Sequence, residues 1–135
     1  MKSISKELLL QLPKVELHCH LDGSLRVSSI LDQAKIDNIK LPFKNYNDIT
    51  AYFKIGENRG SLEDYIRRFD ITLCVMQTPK ALSRFAYELI EDVSRENVRY
   101  IEVRYSPILH TKKGMALEEA LDSVRKGLKR GEKDF

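Results

Sequence analysis

Apolar and polar residues alternate along two short segments of the chain, and each segment predicts a β-strand. Residues 15–21 place Val, Leu and Cys side chains on one face and Glu and His on the other. Residues 98–105 repeat the alternation, with Glu102 and Arg104 on the charged face. Because successive side chains of a strand point to opposite faces, both strands should have an apolar back and a polar front.

Apolar residues at helical spacing predict helices in the first half of the chain. Residues 5–12 predict a short helix that Pro13 ends, and Ser24 is the expected N-cap of the next helix. The pattern weakens over residues 38–60, where Pro, Gly and several Asn favour a loop. Within that loop, residues 48–54 predict one further short helix.

The second half of the chain carries stronger helix signals. Ser61 and Asp64 form a start that resembles a capping box, and Thr78 is the expected N-cap of the longest apolar stripe. Residues 117–129 predict the last helix, with Gly131 as its C-terminal cap.

The order of these elements, strand, helices, strand and helix, is typical of a parallel α/β sheet. Parallel sheets are usually apolar on both faces, so a charged front on both strands favours the interior of a barrel near its active-site end. We therefore predict that residues 1–135 form one segment, the N-terminal part of a (β/α)8 TIM barrel with two parallel strands, incomplete as it stands. The inward charges of Glu16, Glu102 and Arg104 should then be paired with one another or with neighbouring strands.

Composition and charge narrow the possible functions. The chain has 42% hydrophobic and 32% charged residues and a net charge of +3. Its basic run at residues 125–133 predicts a solvated helix face, since the aromatic platforms and motifs of nucleic-acid binding are missing. No apolar run approaches the roughly 18 residues of a membrane span, and the N-terminus lacks the pattern of a signal peptide. Two cysteines without a disulfide framework favour a cytoplasmic setting, with neither nucleic acid nor membrane as partner.

Two of the three histidines lie in the run VELHCHLDGSLR. His18 and His20 are two residues apart on a predicted strand, so their Cα atoms lie about 6.6–7 Å apart and both imidazoles project from one face. Such a pair can converge on one zinc ion, although a bare pair of this kind is more often an ordinary pair of surface or pocket histidines. Asp22 shares that face, whereas Cys19 should face the helices as a core thiol. A catalytic zinc would need further ligands from elsewhere.

The run LPKVELHCHLDGSLR, followed by SLEDYIRRFD and YIEVRYSPILH, resembles the adenosine deaminase family of metal-dependent hydrolases, in the same order and over nearly the whole chain. The resemblance implies that His18 and His20 bind a catalytic Zn²⁺, that Asp22 contacts the ribose, and that His20 also lines the substrate pocket. It further implies a hydrophobic helical gate over the purine, although the same stripe taken alone predicts only core packing. The gate residues are Leu62, Tyr65, Ile66 and Phe69.

The resemblance implies zinc-dependent hydrolytic deamination of adenosine to inosine and ammonia, a step of purine metabolism, by the complete enzyme. A zinc-activated water would attack C6 of the purine, and a glutamate would act as general acid. That glutamate, the remaining zinc ligands and a further catalytic histidine belong to later strands of the family, so we expect no catalytic residue here and no activity from residues 1–135 alone. The third histidine, His110, should lie in an exposed loop, with the pocket mouth as the alternative.

Two alternative functions stay open. A sibling deaminase would act on adenine, AMP or another 6-aminopurine, and an inactive fragment would serve as a binding module. The expected partners are a purine nucleoside and either the remaining barrel strands or another copy of the chain, because two strands alone leave unpaired edges. The assembly should then be heavier than the 15.7 kDa chain. Intact mass together with metal analysis separates these possibilities.

Overall fold

The fold is known from a computed structural model that describes residues 4–43, 45–54 and 61–135. Two parallel strands, β1 (Lys14–His20) and β2 (Val98–Arg104), lie side by side with helices in the crossover between them. The helices are α1 (Lys6–Gln11), α2 (Val27–Ile36), α3 (Tyr46–Phe53), α4 (Leu62–Val75), α5 (Pro79–Arg95) and α6 (Leu117–Asp134), and two 3₁₀ helices span Leu21–Gly23 and Pro107–His110.

The two predicted strands and their parallel pairing are confirmed. His20 at the end of β1 lies opposite Arg104 at the end of β2. Each strand stops one residue earlier than the alternation predicts, and Leu21 instead begins a 3₁₀ helix in which it is fully buried. Because the strands are parallel, the 3₁₀ helices that follow them lie at the same edge of the sheet. In a (β/α)8 barrel this is the edge at which the active site forms.

Helices cover the back of β2 but leave Val15 and Leu17 on the back of β1 exposed. Ile101 and Val103 on β2 pack against the hydrophobic core, as the alternation predicts. Val15 and Leu17 on β1 are 62% and 58% exposed. Most of the core lies between the helices and the start of the first 3₁₀ helix. Its fully buried apolar side chains include Leu21, Ile49, Val75, Met76, Ala81, Leu82, Ala86 and Ala120.

Helices α5 and α6 approach closely because α6 has glycines at the contact. A Cβ atom on Gly127 would lie 2.2 Å from the carbonyl oxygen of Ser83, and one on Gly131 would lie 2.6 Å from Cβ of Ile90. The prediction that Gly131 caps α6 is therefore wrong, since the helix continues to Asp134 and Gly131 is buried inside it. Close packing against α5, and not a helix end, requires glycine there.

Local start signals are confirmed for two of the helices. The Ser61 hydroxyl accepts from the backbone N–H of Asp64 at 3.2 Å, and the Asp64 carboxylate accepts from the backbone N–H of Ser61 at 3.0 Å. Both halves of a capping box are thus present at the start of α4. At the start of α5, the Thr78 hydroxyl accepts from the N–H of Ala81 at 3.2 Å.

Two other helix starts differ from the prediction. Ser24 does not cap α2, because its hydroxyl donates to the carbonyl oxygen of His20 at 2.7 Å and α2 begins only at Val27. Helix α3 begins two residues earlier than predicted, because the Asn45 side chain accepts from the N–H of Asp48 at 3.0 Å and caps it. Of the weakly patterned stretch, residues 44 and 55–60 lie outside the described residues.

The Lys and Arg side chains of the basic run at residues 125–133 are exposed on α6, as predicted. Arg125 pairs with Asp122 at 3.0 Å, and the Arg130 guanidinium lies 4.0 Å from the centre of the Tyr87 ring. Across the part of the chain that the structure describes, none of the helices has both the length and the apolarity to cross a membrane.

Candidate metal and substrate site

The imidazoles of His18 and His20 converge at the C-terminal end of β1. Their Nε2 atoms are 3.1 Å apart, and their ring centres are 5.1 Å apart. Two nitrogens bound to one tetrahedral zinc at about 2.0–2.1 Å would be about 3.3 Å apart. In their neutral form the two rings can therefore present lone pairs to one cation, and the donor set fits zinc. Without a cation, one of the two Nε2 atoms must instead donate a hydrogen to the other.

A metal ion held by these two histidines would have an incomplete set of ligands among the described residues. Among the described residues, no group of three or more His, Cys, Asp or Glu side chains is arranged to hold a metal ion. The neighbouring thiol of Cys19 packs against the hydrophobic core, and its Sγ lies 3.3 Å from Oγ of Ser24. Cys19 therefore contributes to packing, as the strand alternation predicts, and further ligands must come from other residues.

Asp22 lies beside His20 although it is no longer on the strand. It is the second residue of the Leu21–Gly23 helix, and its Oδ1 lies 3.6 Å from Nδ1 of His20. That distance is too long for a hydrogen bond but short enough for electrostatic attraction. The residue is only 6% exposed, and within the described residues its Oδ1 accepts no hydrogen bond. A buried carboxylate oxygen without a donor is costly, so this atom suits a donor from a ligand or a water.

Aromatic side chains of α4 face the histidines across a cleft. The ring centres of Phe69 and His20 are 6.5 Å apart in an edge-to-face arrangement, and those of Phe69 and Tyr65 are 5.8 Å apart. A cleft of about 260 Å³ lies between α4 and the first 3₁₀ helix, with Asp22 and Gly23 in its lining. A depression lined by His18 and His20 shares Gly23, Tyr65 and Phe69 with it. The arrangement places an aromatic wall beside paired imidazoles and a carboxylate oxygen that accepts no hydrogen bond from the described residues.

The structure separates the four predicted gate residues into two pairs. Tyr65 and Phe69 line the cleft. Leu62 and Ile66 lie on the same helix but are 74% and 56% exposed and do not line it. Packing within the core of this chain therefore does not explain why these two positions are apolar.

The prediction that His110 is an exposed loop residue is wrong. It ends the Pro107–His110 helix and is fully buried. Its Nδ1 lies 3.1 Å from the carbonyl oxygen of Met76, and because a carbonyl only accepts, Nδ1 carries the hydrogen. Burial lowers the pKa of His110, against smaller opposing effects of the Met76 carbonyl and the Asp22 carboxylate. Pro107 marks the start of this helical turn, but it does not indicate the direction of the His110 side chain.

Gln77 was missed in the sequence because its environment is formed by distant residues. It is buried, and its amide nitrogen donates to the carbonyl oxygens of Leu73 at 2.7 Å and Leu109 at 2.9 Å. Its amide oxygen accepts from the N–H of Lys112 at 3.0 Å. Gln77 and His110 together tie the C-terminal end of α4 to the segment that follows β2.

The charged front of the two strands is mostly paired within the chain. Arg104 lies 3.7 Å from a carboxylate oxygen of Glu102, and the Tyr100 hydroxyl donates to the other carboxylate oxygen at 3.2 Å. The Glu16 carboxylate accepts from the backbone N–H of His18 at 3.1 Å. The prediction of pairing is confirmed for Glu102 with Arg104, while Glu16 bonds to the backbone instead.

Comparison with known proteins identifies relatives of the chain. A family model described as adenosine deaminase matches residues 13–135. The chain is 53% identical over 123 residues to an adenosine deaminase of Clostridium botulinum (strain 657 / Type Ba4), covering 91% of this chain and 37% of that protein. It is 48% identical over 127 residues to an adenosine deaminase of Clostridium perfringens (strain SM101 / Type A), covering 94% of this chain and 38% of that protein. The chain thus spans little more than a third of these relatives.

Solved structures of related hydrolases share the fold. The adenine deaminase of Arthrobacter aurescens matches with a TM-score of 0.80 at 26% identity, covering 91% of this chain and 36% of that one. An amidohydrolase of Burkholderia ambifaria with bound Zn matches with a TM-score of 0.79 at 26% identity, covering 99% and 36%. The N6-methyl-AMP deaminase of Arabidopsis thaliana matches with a TM-score of 0.65 at 28% identity, covering 91% and 35%.

Proposed function

The chain belongs to the adenosine deaminase family of hydrolases, and from this premise we propose that the full-length protein deaminates adenosine to inosine and ammonia with zinc as cofactor. The observation that carries the proposal is the placement of His18 and His20 at the C-terminal end of a barrel strand, with Nε2 atoms 3.1 Å apart. An aromatic cleft lies directly beside them, as does the Asp22 carboxylate, whose Oδ1 accepts no hydrogen bond within the described residues.

His18 and His20 would hold the metal through Nε2. The separation of those two atoms fits the spacing of two ligands on one tetrahedral zinc. When bound, zinc supplies Lewis-acid activation of the water that is added to the purine. The Burkholderia ambifaria amidohydrolase, which has bound Zn, supports the choice of metal.

The substrate would lie in the cleft between α4 and the first 3₁₀ helix. Its ribose would donate a hydroxyl hydrogen to Asp22, whose Oδ1 is buried without a donor among the described residues. Its purine ring would pack against Tyr65 and Phe69, because flat apolar faces suit an aromatic wall. His20 would line the same pocket between metal and purine, since its ring lies against Phe69.

Leu62 and Ile66 would complete a gate over the substrate. Both are apolar, exposed in this chain and on the same helix as the two cleft aromatics. Closure over a bound purine would exclude water from the reacting ring. This chain would therefore bind, orient and shield the substrate, while proton transfer to the purine nitrogen would be the task of a general acid from another strand.

A sibling deaminase is the second candidate, because similar structures include an adenine deaminase and an N6-methyl-AMP deaminase. The buried Asp22 carboxylate favours a neutral ribose over a nucleotide, since a negative phosphate close to it would be repelled. Adenine has no ribose and would therefore gain no hydrogen bond to Asp22. Both arguments favour the nucleoside.

The free thiols agree with a cytoplasmic purine enzyme. Cys19 and Cys74 are unpaired and partly buried. Unpaired cysteines are typical of reducing compartments. A cytoplasmic setting is therefore part of the proposal.

The proposed activity is tested by supplying adenosine, adenine and AMP separately to the full-length protein and following ammonia release. We expect adenosine to have the highest kcat/KM. The variant Asp22→Asn, in which the carboxylate charge is lost, should lower kcat/KM for adenosine more than for adenine. Preference for adenine or AMP would establish a sibling deaminase, and no ammonia from any of the three would support the binding-module alternative.

A further inference from the structure

Two buried polar atoms, one on the proposed ribose contact Asp22 and one on His110, lie just beyond the ends of β1 and β2. Strands β1 and β2 are parallel neighbours and end at His20 and Arg104, so the 3₁₀ helices that follow them lie at the same edge of the sheet. One carries Asp22 and the other His110. Burial lowers the pKa of His110, and the Asp22 carboxylate lies near enough to oppose that effect. Within the described residues, Oδ1 of Asp22 and Nε2 of His110 are both buried and lack a hydrogen-bond partner.

The chemistry of the two atoms determines what can join them. His110 donates from Nδ1 to the carbonyl oxygen of Met76, so in its neutral form its Nε2 has a lone pair and no hydrogen. A carboxylate oxygen of Asp22 is also an acceptor. Two acceptors cannot bond to each other, and leaving both unpaired in the interior would be costly. A single water has two hydrogens and satisfies both.

We propose that His110 is a positioning residue for Asp22, and that a buried water donates one hydrogen to Nε2 of His110 and the other to Oδ1 of Asp22. The bridge fixes the direction of the carboxylate. A carboxylate oxygen has two lone pairs, so the water leaves room for a substrate hydroxyl. The effect on substrate rests on the proposed function of Asp22, whereas the water bridge itself does not.

His110 is well suited to this task because the structure holds its ring from several sides. Its Nδ1 is bonded to Met76 at 3.1 Å, and its ring centre lies 5.7 Å from that of Tyr105. Gln77 holds the backbone on both sides of it, at the Leu109 carbonyl and at the N–H of Lys112. A ring held in this way keeps Nε2 in place, and the water bridge extends that order to Asp22.

Two variants of the full-length protein test the roles of Nδ1 and Nε2 of His110 separately. His110→Asn keeps a short amide that can still donate towards the Met76 carbonyl, but it has no atom at the position of Nε2. His110→Gln is one methylene longer and can place a polar atom near that position. The probes are inosine, which has a ribose, and hypoxanthine, which does not, with dissociation constants measured by calorimetry.

We expect His110→Asn to weaken inosine binding about fivefold to tenfold, the loss typical of one net hydrogen bond, and to leave hypoxanthine binding unchanged. His110→Gln should recover most of the loss. Equal weakening of both probes by His110→Asn, or no weakening of either, would overturn the proposal, because a purely structural role does not distinguish a ribose.

Two further measurements on the native protein keep the proposal testable if a variant does not fold. Nitrogen NMR of His110 should show hydrogen on Nδ1 and a hydrogen-bonded, unprotonated Nε2. A high-resolution crystal structure should show a water within hydrogen-bond distance of both Nε2 and the Asp22 oxygen. A proton on Nε2, or the absence of that water, would overturn the bridge. If the bridge is present but the native protein binds neither inosine nor hypoxanthine, the proposed function fails and the bridge stands.

Discussion

At the scale of single residues, the candidate site is marked by buried polar atoms that have no hydrogen-bond partner among the described residues. Asp22 and His110 each place such an atom at the edge of the sheet where the two strands end. Burial lowers the pKa of His110, so its ring is neutral near pH 7 and donates to Met76 without carrying a charge into the core. The same burial makes stability depend on pH.

The stability of the protein should fall as the pH is lowered from about 6.5, the ordinary pKa of histidine, towards the lower pKa that His110 has when folded. In that window the unfolded chain takes up a proton that the folded chain does not, so protonation favours unfolding. The variant His110→Asn should lose less stability between pH 7.5 and pH 5.5 than the native protein. Urea unfolding at the two pH values measures the difference, and equal losses would show that His110 does not titrate in this way.

The paired imidazoles could be predicted from the sequence, and His110 could not. On a strand, the direction of His18 and His20 depends only on their spacing of two residues, which is local. The burial of His110 depends on the carbonyl of Met76, 34 residues away. Asp22 is intermediate, since it was placed on the correct side although it lies in a 3₁₀ helix and not on the strand.

At the scale of the elements, the start of α4 depends on its local sequence, whereas the glycines of α6 depend on the packing of the neighbouring helix α5. Helix α4 begins at the capping box of Ser61 and Asp64, a pattern that is complete within four residues and was read correctly. In α6, the position of Gly131 is typical of a C-terminal cap. A Cβ atom at this position, however, would lie only 2.6 Å from Cβ of Ile90 on α5. A glycine near a helix end cannot be assigned from sequence when an adjacent helix also requires it.

A methyl group at the α5–α6 contact should destabilise the protein. Gly127→Ala would place Cβ 2.2 Å from the Ser83 carbonyl oxygen, which is backbone and cannot move alone. Such overpacking costs about 1–3 kcal/mol or more, which exceeds the gain of about 1 kcal/mol from replacing glycine in a helix. Urea unfolding should show a lower free energy of unfolding for this variant.

The matched control is Lys129→Ala, an exposed position on the same helix, which should change stability by no more than about 0.5 kcal/mol. A Gly127→Ala variant as stable as this control would mean that α5 and α6 do not approach as closely as described.

For the molecule as a whole, exposed apolar surface is the dominant property. Val15 and Leu17 on β1 are more than half exposed, and so is Leu62 on α4. Within the described residues the sheet has two strands, whereas a (β/α)8 barrel has eight. The chain also spans about 37% of the Clostridium botulinum relative, so other strands of such a barrel are what would cover this surface.

Residues 1–135 produced alone should associate and should not deaminate adenosine. Association would cover the apolar face and the open strand edges, either with a second copy or with the remaining strands when these are supplied. Light scattering combined with intact mass should give a particle heavier than the single chain of 15.7 kDa. A well-folded monomer at the single-chain mass would show that the face is covered in another way.

The barrel could be inferred from sequence because a charged front on both strands is unusual for a sheet covered on both faces, and because the family resemblance implies a barrel. The inference from the charged front depended on only a few positions, chiefly Glu102 and Arg104, which do pair in the structure. The exposure of Val15 and Leu17 on β1 could not be predicted in the same way. Their alternation indicates an apolar face but does not indicate whether a helix packs on it. Local pattern gives the faces of a strand, and the rest of the fold decides what packs on them.

The zinc content of the full-length protein tests the central claim most directly. Native protein and the double variant His18→Ala, His20→Ala would be dialysed and analysed for metal, with Cys19→Ser, which lies between the two histidines and packs into the core, as the matched control. We predict about one zinc per native chain, the same for the Cys19→Ser control, and a loss of most of the zinc in the double variant. Zinc that persists in the double variant, or that is lost when only Cys19 is changed, would contradict the account.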